Sequence, residues 1–436
     1  MKFQKYTKYK ASGVEWLGEI PEEWEVAILK NIGNVRGRVG WKALKANEYV
    51  NKSKYIFLAT PNIKNKEIDF LNVNYITRKR YYESPEIILK TNDIVLTKDG
   101  STLGTANIVS YLPSKATVNS SIAIIRLKKE NSKFIFHQIK SEYIQNIVKL
   151  KKDGAGVPHL FQRDINNFKI FLPPKQTQTK IANYLDEKTN LIDKKISLLQ
   201  QKKEKYKELK QTLINEVVTK GLDKTVKMKD SEIEWVGEIP EHWEIKRFKD
   251  IYYKNHTGGT PNTSKREMFS GENVWVSIAD IKDKFVSESK QKLTKEGIEI
   301  ANIPITPKGS LLYSFKLTLG KIAFTEIDLY TNEALISILK NKTINLNYTY
   351  YMLPLLLILN ATENIYGAKM LNQKLISNAL LIYPPKQEQI QIANYLDEKT
   401  GKIDEIIEKI DENIDALKEF RKTLINDAVT GKIKVA

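Results

Sequence analysis

The chain has 436 residues, with 70 lysines and arginines against 52 acidic residues, which leaves a net charge of +18 at neutral pH. It has no cysteine, which excludes disulfide bonds, thiolate zinc sites and cysteine nucleophiles. The length favours two or more domains, and the charge favours a polyanionic partner, although a generally lysine-rich composition gives the same surplus.

The amino-terminal segment is polar and basic and lacks the apolar core of a signal peptide. The most apolar run, Tyr348–Leu359, is too short to span a bilayer and contains Pro354. We therefore expect a cytoplasmic protein.

Two sequence blocks occur twice. SGVEWLGEIPEEWE at 12–25 returns as SEIEWVGEIPEHWE at 231–244. A second block, PPKQ followed by IANYLDEKT, begins at Pro173 and again at Pro384, an offset of 211 residues. We expect the tryptophans of the first block to anchor it in a core rather than to stack on bases: Trp16, Trp24, Trp235 and Trp243.

The segments between these blocks, 26–170 and 245–381, share only a skeleton. A drifted duplication is the alternative explanation, but uniform drift would have blurred the repeated blocks as well. The pattern favours one structural task performed twice with different surfaces.

Short apolar runs predict strands at Tyr55–Ala59, Ile94–Leu96 and Ser121–Ile125, and again at Val274–Ile278, Ser310–Tyr313 and Ala334–Ile338. A helical stretch follows in each half, at Lys133–Leu150 and Leu346–Asn360. Each half then ends in an extended run, at Phe168–Leu172 and Leu380–Tyr383. The predicted class is α+β.

Long helices are predicted over 175–220 and 386–431, each preceded by two prolines and closed by a glycine. Apolar residues recur every seven positions, as in a coiled coil. These seam residues are Leu185, Ile192, Leu199, Tyr206 and Leu213, then Leu396, Ile403, Ile410, Leu417 and Leu424. Lys203, Lys210 and Arg421 interrupt the alternate seam.

The two helical windows carry opposite charge. The first has 11 lysines and 6 acidic residues, and the second has 7 basic and 11 acidic residues. Opposite charge favours pairing of the two helices within the chain, antiparallel if a pseudo-twofold axis relates the halves. The alternative is that each helix packs on its own globular domain or pairs with another chain.

If the polyanionic partner is a nucleic acid, side chains of polar and basic loops would contact its phosphates and base edges. In the first half the candidates are Arg36, Arg38, Lys42, Arg78, Lys79, Arg80, Lys98, Ser101, Thr102, His159, Gln162 and Arg163. In the second they are Thr257, Thr260, Asn262, Lys265, Arg266, Lys316, Thr318, Lys321, Lys369, Asn372, Gln373 and Lys374. A single surface lysine is more often only a solvated charge, and Arg80 with its two following tyrosines fits a strand equally well.

Catalytic signatures are missing from the sequence. Gly258-Gly259-Thr260 lacks the ending of a phosphate loop, the four histidines have no metal-ligand spacing, and neither Pro-Pro pair fits an amino-methylating motif. We therefore predict a chain with no catalytic residues and no metal. A coiled-coil scaffold with two protein-binding heads remains an alternative, and a standalone methyltransferase or nuclease is disfavoured.

The repeated Trp-x-Gly-x-Ile-Pro-x-x-Trp, followed by Pro-Pro-x-x-Glu/Thr-Gln and Ile-Ala-x-Tyr-Leu-Asp, resembles the specificity subunits of type I restriction-modification systems. The resemblance covers essentially the whole chain, and Thr177 departs from it where the second copy has Glu388.

The resemblance implies target-recognition domains at 1–174 and 222–385, with spacer helices at 175–221 and 386–436. It implies double-stranded DNA, two modification subunits and restriction subunits as partners. S-adenosylmethionine, ATP and Mg²⁺ would be held by those partners, and this chain would hold no cofactor.

Overall fold

The computed structural model of the chain describes residues 4–14, 17–38, 44, 48–150, 159–363, 367 and 369–435. It divides into two compact units. Unit 1 consists of Met1–Gln200 with Asp411–Ala436, and unit 2 of Gln201–Ile410. Both units mix helices with sheets, which confirms the α+β class.

The strands of unit 1 are β1 Tyr9–Ala11, β2 Glu19–Pro21, β3 Glu25–Ile28, β4 Gly33–Arg36, β5 Tyr55–Leu58, β6 Asn74–Tyr75, β7 Ile94–Thr97, β8 Ala106–Ile108, β9 Lys115–Val118, β10 Ile122–Leu127 and β11 Lys169–Leu172. Its helices are α1 Leu29–Ile32, α2 Arg78–Tyr82, α3 Ser132–Ile139, α4 Glu142–Leu150, α5 Gln162–Asn166 and the first part of α6 Lys175–Lys220. The helix predicted over 133–150 is thus two helices, with a break at Lys140 and Ser141.

The central sheet of unit 1 is antiparallel in the order β4-β10-β7-β8, beside a smaller sheet β6-β5-β9. Strand β10 is apolar on both faces because it separates two cores. Ala123 and Ile125 face one core, while Ile122 and Ile124 face the other, as the two-residue period of a strand requires.

The strands of unit 2 are β12 Met228–Asp230, β13 Glu238–Pro240, β14 Glu244–Arg247, β15 Asn255–Thr257, β16 Asn273–Val276, β17 Phe285–Val286, β18 Lys292–Leu293, β19 Leu311–Ser314, β20 Ile322–Thr325, β21 Tyr330–Thr331, β22 Leu335–Ile338, β23 Thr362–Glu363, β24 Lys369–Met370 and β25 Leu380–Tyr383. Its helices are α7 Phe248–Ile251, α8 Lys295–Ile300, α9 Leu346–Leu356, α10 Gln373–Asn378 and most of α11 Lys386–Val429. The main sheet has the order β15-β22-β19-β20-β17.

The two long helices begin and end where their flanking residues require. Helix α6 spans 46 residues and α11 spans 44, each directly after a Pro-Pro pair. Gly221 and Gly431 follow with φ of 74° and 76°. This left-handed conformation closes a helix at little cost only when the residue is glycine.

Each unit buries the start of one long helix together with the end of the other. The main core of unit 1 contains Ile181 and Leu185 from α6 and Leu424 from α11. The main core of unit 2 contains Val218 from α6 and Leu396 from α11.

A buried tryptophan fixes the entry to the long helix in each unit. In unit 2 the Trp243 indole N–H donates to Glu388 in the first turn of α11, at 2.9 Å, and the His242 ring lies 2.7 Å from the other carboxylate oxygen. In unit 1 Trp24 is equally buried, but no carboxylate among the described residues accepts its N–H, because Thr177 stands in the matching position.

The expectation that all four tryptophans anchor a core is wrong for Trp235, which is 36% exposed. Trp16 lies outside the described residues. Trp24 and Trp243 are fully buried, as anchoring requires.

Glu388→Ala should lower the free energy of unfolding by about 1–3 kcal/mol, because it leaves a buried indole N–H without an acceptor. Thermal and urea unfolding of the full chain would measure the loss. Thr177→Ala is the matched control in unit 1 and should cost clearly less. Equal losses in the two variants would contradict the role of the Trp243–Glu388 bond.

Candidate nucleic-acid interface

Two of the predicted loops in unit 1 leave the central sheet at one edge. Strand β10 is antiparallel to both β4 and β7, with Arg36 opposite Ile124 and Thr97 opposite Ile122. The carboxyl ends of β4 and β7 therefore both lie beside the start of β10. This edge carries the candidates Arg36 and Arg38 after β4 and Lys98, Ser101 and Thr102 after β7.

A third segment, from His159 to Arg163, joins the same edge. The Leu160 N–H donates to the Lys98 carbonyl at 2.8 Å, and the Gln162 side chain donates to the Val35 carbonyl at 2.6 Å. The His159 ring is hydrogen-bonded to Asp99. Three loops distant in sequence thus form one surface.

Arg38 and Arg80 lie close together in a cluster with glutamates. Burial and the neighbouring Arg80 guanidinium lower the pKa of Arg38, while Glu86 acts in the opposite direction. Arg80 is hydrogen-bonded to Glu83 and lies 3.0 Å from Glu48. The segment is a helix, α2, so the strand alternative for Arg80 and its tyrosines is wrong.

Unit 2 brings its candidate loops together in the same way. Strand β22 is antiparallel to β15 and β19, with Ile336 opposite Thr257 and Leu335 opposite Ser314. The ends of β15 and β19 therefore share the edge at the start of β22. The loop after β15 carries Thr260, Asn262, Lys265 and Arg266, and the loop after β19 carries Lys316 and Thr318.

The segment around α10 completes the edge of unit 2. Gln373 donates to the Thr257 hydroxyl at 2.9 Å, and Asn372 caps α10 by accepting from the Leu375 N–H at 2.9 Å. The Thr260 hydroxyl donates to Glu333, and this bond lowers the pKa of the Glu333 carboxyl, with a smaller effect from Lys316.

The predicted residues differ in how far they reach solvent. Those that are exposed are Arg78, Lys79, Ser101, Thr102, Gln162, Arg163, Thr260, Asn262, Lys265, Arg266, Lys316, Thr318, Lys369, Asn372, Gln373 and Lys374. Those that are half-buried are Arg36, Arg38, Arg80, Lys98, His159, Thr257 and Lys321. Lys321 donates to the carbonyls of Ile278 and Ile281, each at 3.1 Å, and so ties the loop to the body. Lys42 lies outside the described residues.

Sequence reasoning missed two apolar side chains at these edges. Phe161 is 51% exposed, with the Arg163 guanidinium 5.1 Å from its ring centre. Leu317 is 98% exposed and has a φ of 59°, a conformation that costs a non-glycine residue about 1–2 kcal/mol. A turn sequence with an isolated leucine between polar residues was the available signal.

The long helices are tied to the globular part of each unit through aspartates. In unit 1, Asp186 of α6 accepts from Lys133 at 2.8 Å and lies 2.8 Å from Nε2 of His137. Burial of Asp186 opposes its ionisation, but the hydrogen bonds from His137 and Lys133 outweigh this effect and lower the pKa of the carboxyl. In unit 2, Asp397 of α11 accepts from Lys284 at 2.6 Å and from the Tyr351 hydroxyl at 2.5 Å.

A second contact joins the two long helices inside each unit. In unit 1 the Arg421 Nε of α11 lies 3.1 Å from Asp193 of α6. In unit 2 the Lys210 Nζ of α6 lies 2.6 Å from Asp404 of α11. Such partly exposed pairs contribute only about 0.2–1 kcal/mol to stability.

A family model described as the type I restriction modification DNA specificity domain matches residues 21–208 and again residues 240–416. The chain belongs to this family. The two matches fall on the two copies of the internal repeat.

Relatives in the family match nearly the whole chain. The MjaVIII specificity subunit of a type I restriction enzyme from Methanocaldococcus jannaschii is 25% identical, over 95% of this chain and 94% of its own. The EcoKI specificity subunit from Escherichia coli strain K12 is 20% identical, over 95% of this chain and 90% of its own.

Solved structures share the fold. A chain from a type I R-M system, studied for its complex assembly and conformational transition, matches with a TM-score of 0.74 at 16% identity and covers 95% of this chain and 99% of that one. The HsdS subunit from Thermoanaerobacter tengcongensis matches with a TM-score of 0.56 at 16% identity, over 95% of this chain and 98% of that one.

Among the described residues, no helix is both long and apolar enough to cross a membrane. No group of three or more histidine, aspartate or glutamate side chains in those residues is arranged to hold a metal ion.

His137 should make the stability of the folded chain depend on pH between 7.5 and 5.5. Its burial lowers its pKa, so below about pH 6.5 the unfolded chain binds a proton that the folded chain does not. The free energy of unfolding should therefore fall on acidification, by up to about 1 kcal/mol per pH unit.

His137→Gln keeps a donor for Asp186 without titrating. Its free energy of unfolding, measured by urea unfolding at several pH values, should change less steeply with pH. Because His256 is half-buried and its pKa is also lowered by burial, only the difference between the two proteins is informative. Equal slopes would contradict the assignment.

Proposed function

We propose that the chain is the specificity subunit of a type I restriction-modification complex and reads a bipartite, asymmetric site in double-stranded DNA. The observation that carries the proposal is the edge assembled in each unit from three polar, basic loops, in a chain whose family match covers both copies of the repeat. A coiled-coil scaffold with incidental charge is not favoured, because the matching family is a DNA specificity domain.

In this proposal residues 1–174 and 222–385 are the target-recognition domains, and each reads one half-site. The exposed candidates at the two edges contact phosphates and base edges, with lysines and arginines on phosphates. Leu317 offers an apolar contact of the kind that a thymine methyl group accepts in the major groove.

The helices at 175–221 and 386–436 pair as an antiparallel coiled coil and form the spacer. A pseudo-twofold axis relates the two halves of the internal repeat. Burial supports this pairing, since every seam residue is buried or half-buried: Leu185, Ile192, Leu199, Tyr206, Leu213, Leu396, Ile403, Ile410, Leu417 and Leu424. The two cross-helix ion pairs support it as well, because Asp193 with Arg421 and Lys210 with Asp404 imply one antiparallel register.

The partners follow from the family. We infer that two modification subunits dock on this chain in the cytoplasm and bind S-adenosylmethionine, and that restriction subunits using ATP and Mg²⁺ join them. The chain itself then supplies recognition and assembly and carries out no reaction. The relatives named as specificity subunits support this division of labour.

Methylome sequencing of cells that express the chain with its neighbouring modification subunit tests the proposal. A bipartite methylated-adenine motif is expected. Replacing residues 26–170 with the equivalent segment of a relative should change one half of that motif and leave the other half unchanged. Absence of any motif, in cells where the subunits form a stable complex and the modification subunit is intact, would overturn the proposal.

Two neighbouring residues separate phosphate contact from base reading. Lys316→Ala should weaken binding to every DNA sequence and reduce the slope of log affinity against log salt by about one, because one phosphate contact is lost. Leu317→Ser should leave that slope unchanged and relax the choice of base at one position of one half-site, by about tenfold. Fluorescence anisotropy across salt concentrations measures both effects. Identical slope changes in the two variants would contradict the assignment.

A further inference from the structure

Each long helix carries two aspartates that are seven residues apart. They are Asp186 and Asp193 in α6 and Asp397 and Asp404 in α11. Seven residues complete close to two helical turns, so the two aspartates of a helix lie along one line of its surface. The offset of 211 residues relates Asp186 to Asp397 and Asp193 to Asp404.

The first aspartate of each pair binds the globular part of its own unit. Asp186 is held by Lys133 and His137 of α3. Asp397 is held by Lys284 and by Tyr351 of α9. One partner is a lysine in each unit, and the other is a histidine in unit 1 and a tyrosine in unit 2, but the aspartate that they hold occupies the same position of the repeat.

The second aspartate of each pair binds the other long helix. Asp193 pairs with Arg421, and Asp404 pairs with Lys210. Arg421 and Lys210 are two of the three residues that interrupt the apolar seams, and the same offset of 211 relates them. These two interruptions are therefore one contact made twice, and each costs apolar seam area in exchange for a specific partner.

The apolar seam alone does not define the register of the two helices. Because it repeats every seven residues, it remains matched if one helix slips by seven. A slip in one direction would move Arg421 from Asp193 to Gln200 and lose an ion pair. A slip in the other would move Arg421 and Lys210 to Asp186 and Asp397, which the globular domains already occupy.

We propose that these four aspartates are positioning residues for DNA reading. Asp186 and Asp397 fix each recognition domain on its helix, and Asp193 and Asp404 fix the register of the helix pair. Together with the buried ends of the helices, they determine the separation at which the two half-sites are read. The inference rests on the proposed function and identifies which residues of the spacer carry its length selectivity.

Charge reversal across one pair tests the inference. Asp404→Lys, Lys210→Asp and the double variant would each be expressed with the modification subunit. Methylation would be measured on plasmid sites whose half-sites are separated by the native spacer or by one base pair more or fewer. Each single variant should reduce the preference for the native spacer by about tenfold, and the double variant should restore it.

Glu398→Lys is the matched control. It makes the same charge change in α11, on an exposed residue whose hydrogen bond is to Lys402 of the same helix, and it should leave spacer preference unchanged. If Asp404→Lys is insoluble, Asp404→Asn replaces it in the experiment. This variant should reduce the preference for the native spacer by a smaller factor.

The outcomes separate the two proposals. If the unaltered chain yields no bipartite motif, the proposed function fails. If it yields the motif and both single variants keep the native spacer preference, the function stands and the positioning role is overturned. The same holds if the double variant fails to restore what the single variants lose while its circular dichroism matches that of the unaltered chain.

Discussion

Burial of apolar surface at the ends of the long helices is the interaction on which the rest of the structure depends. In unit 1 the core around Trp24 is completed by Leu424 and Val429, which lie about 400 residues further along the chain. In unit 2 the core around Trp243 contains Val218 and Leu396, from two different helices. Neither copy of the sequence repeat can bury its apolar residues with its own segments alone, so the repeat in sequence is not the unit of folding.

Polar contacts can define the register of the two long helices, which the apolar seam leaves undefined. An apolar seam holds two helices together in any register that matches its period, while a charge at a defined position accepts few partners. Asp193 and Asp404 add little to stability, because their ion pairs are partly exposed. In the proposed spacer, their contribution is to discriminate between registers of the helix pair.

Local signals in the sequence were sufficient for the long helices and for the most apolar strands. The Pro-Pro pairs predicted the starts of α6 and α11 to the residue, and the glycines predicted the end of α6 to the residue and that of α11 to within two residues. Contacts between distant segments were not predictable in this way. The parallel pairing of β5 with β9, the bond from His159 to Asp99 and the partners of Lys210 and Arg421 depend on residues far away in sequence. The exposure of Trp235 was missed because an apolar residue in a repeated sequence block carries no local sign that it stays in water, whereas Leu317 had a local signal, its position between two polar residues of a turn.

The division of the helices between the two cores also imposes an order on synthesis. Unit 2 is continuous from residue 201 to residue 410, so its core is complete once those residues have left the ribosome. Unit 1 begins first but must keep its sheet and the start of α6 partly uncovered until residues 411–435 arrive. A chain that stops before α11 ends therefore presents apolar surface from its earliest-made domain to chaperones and proteases.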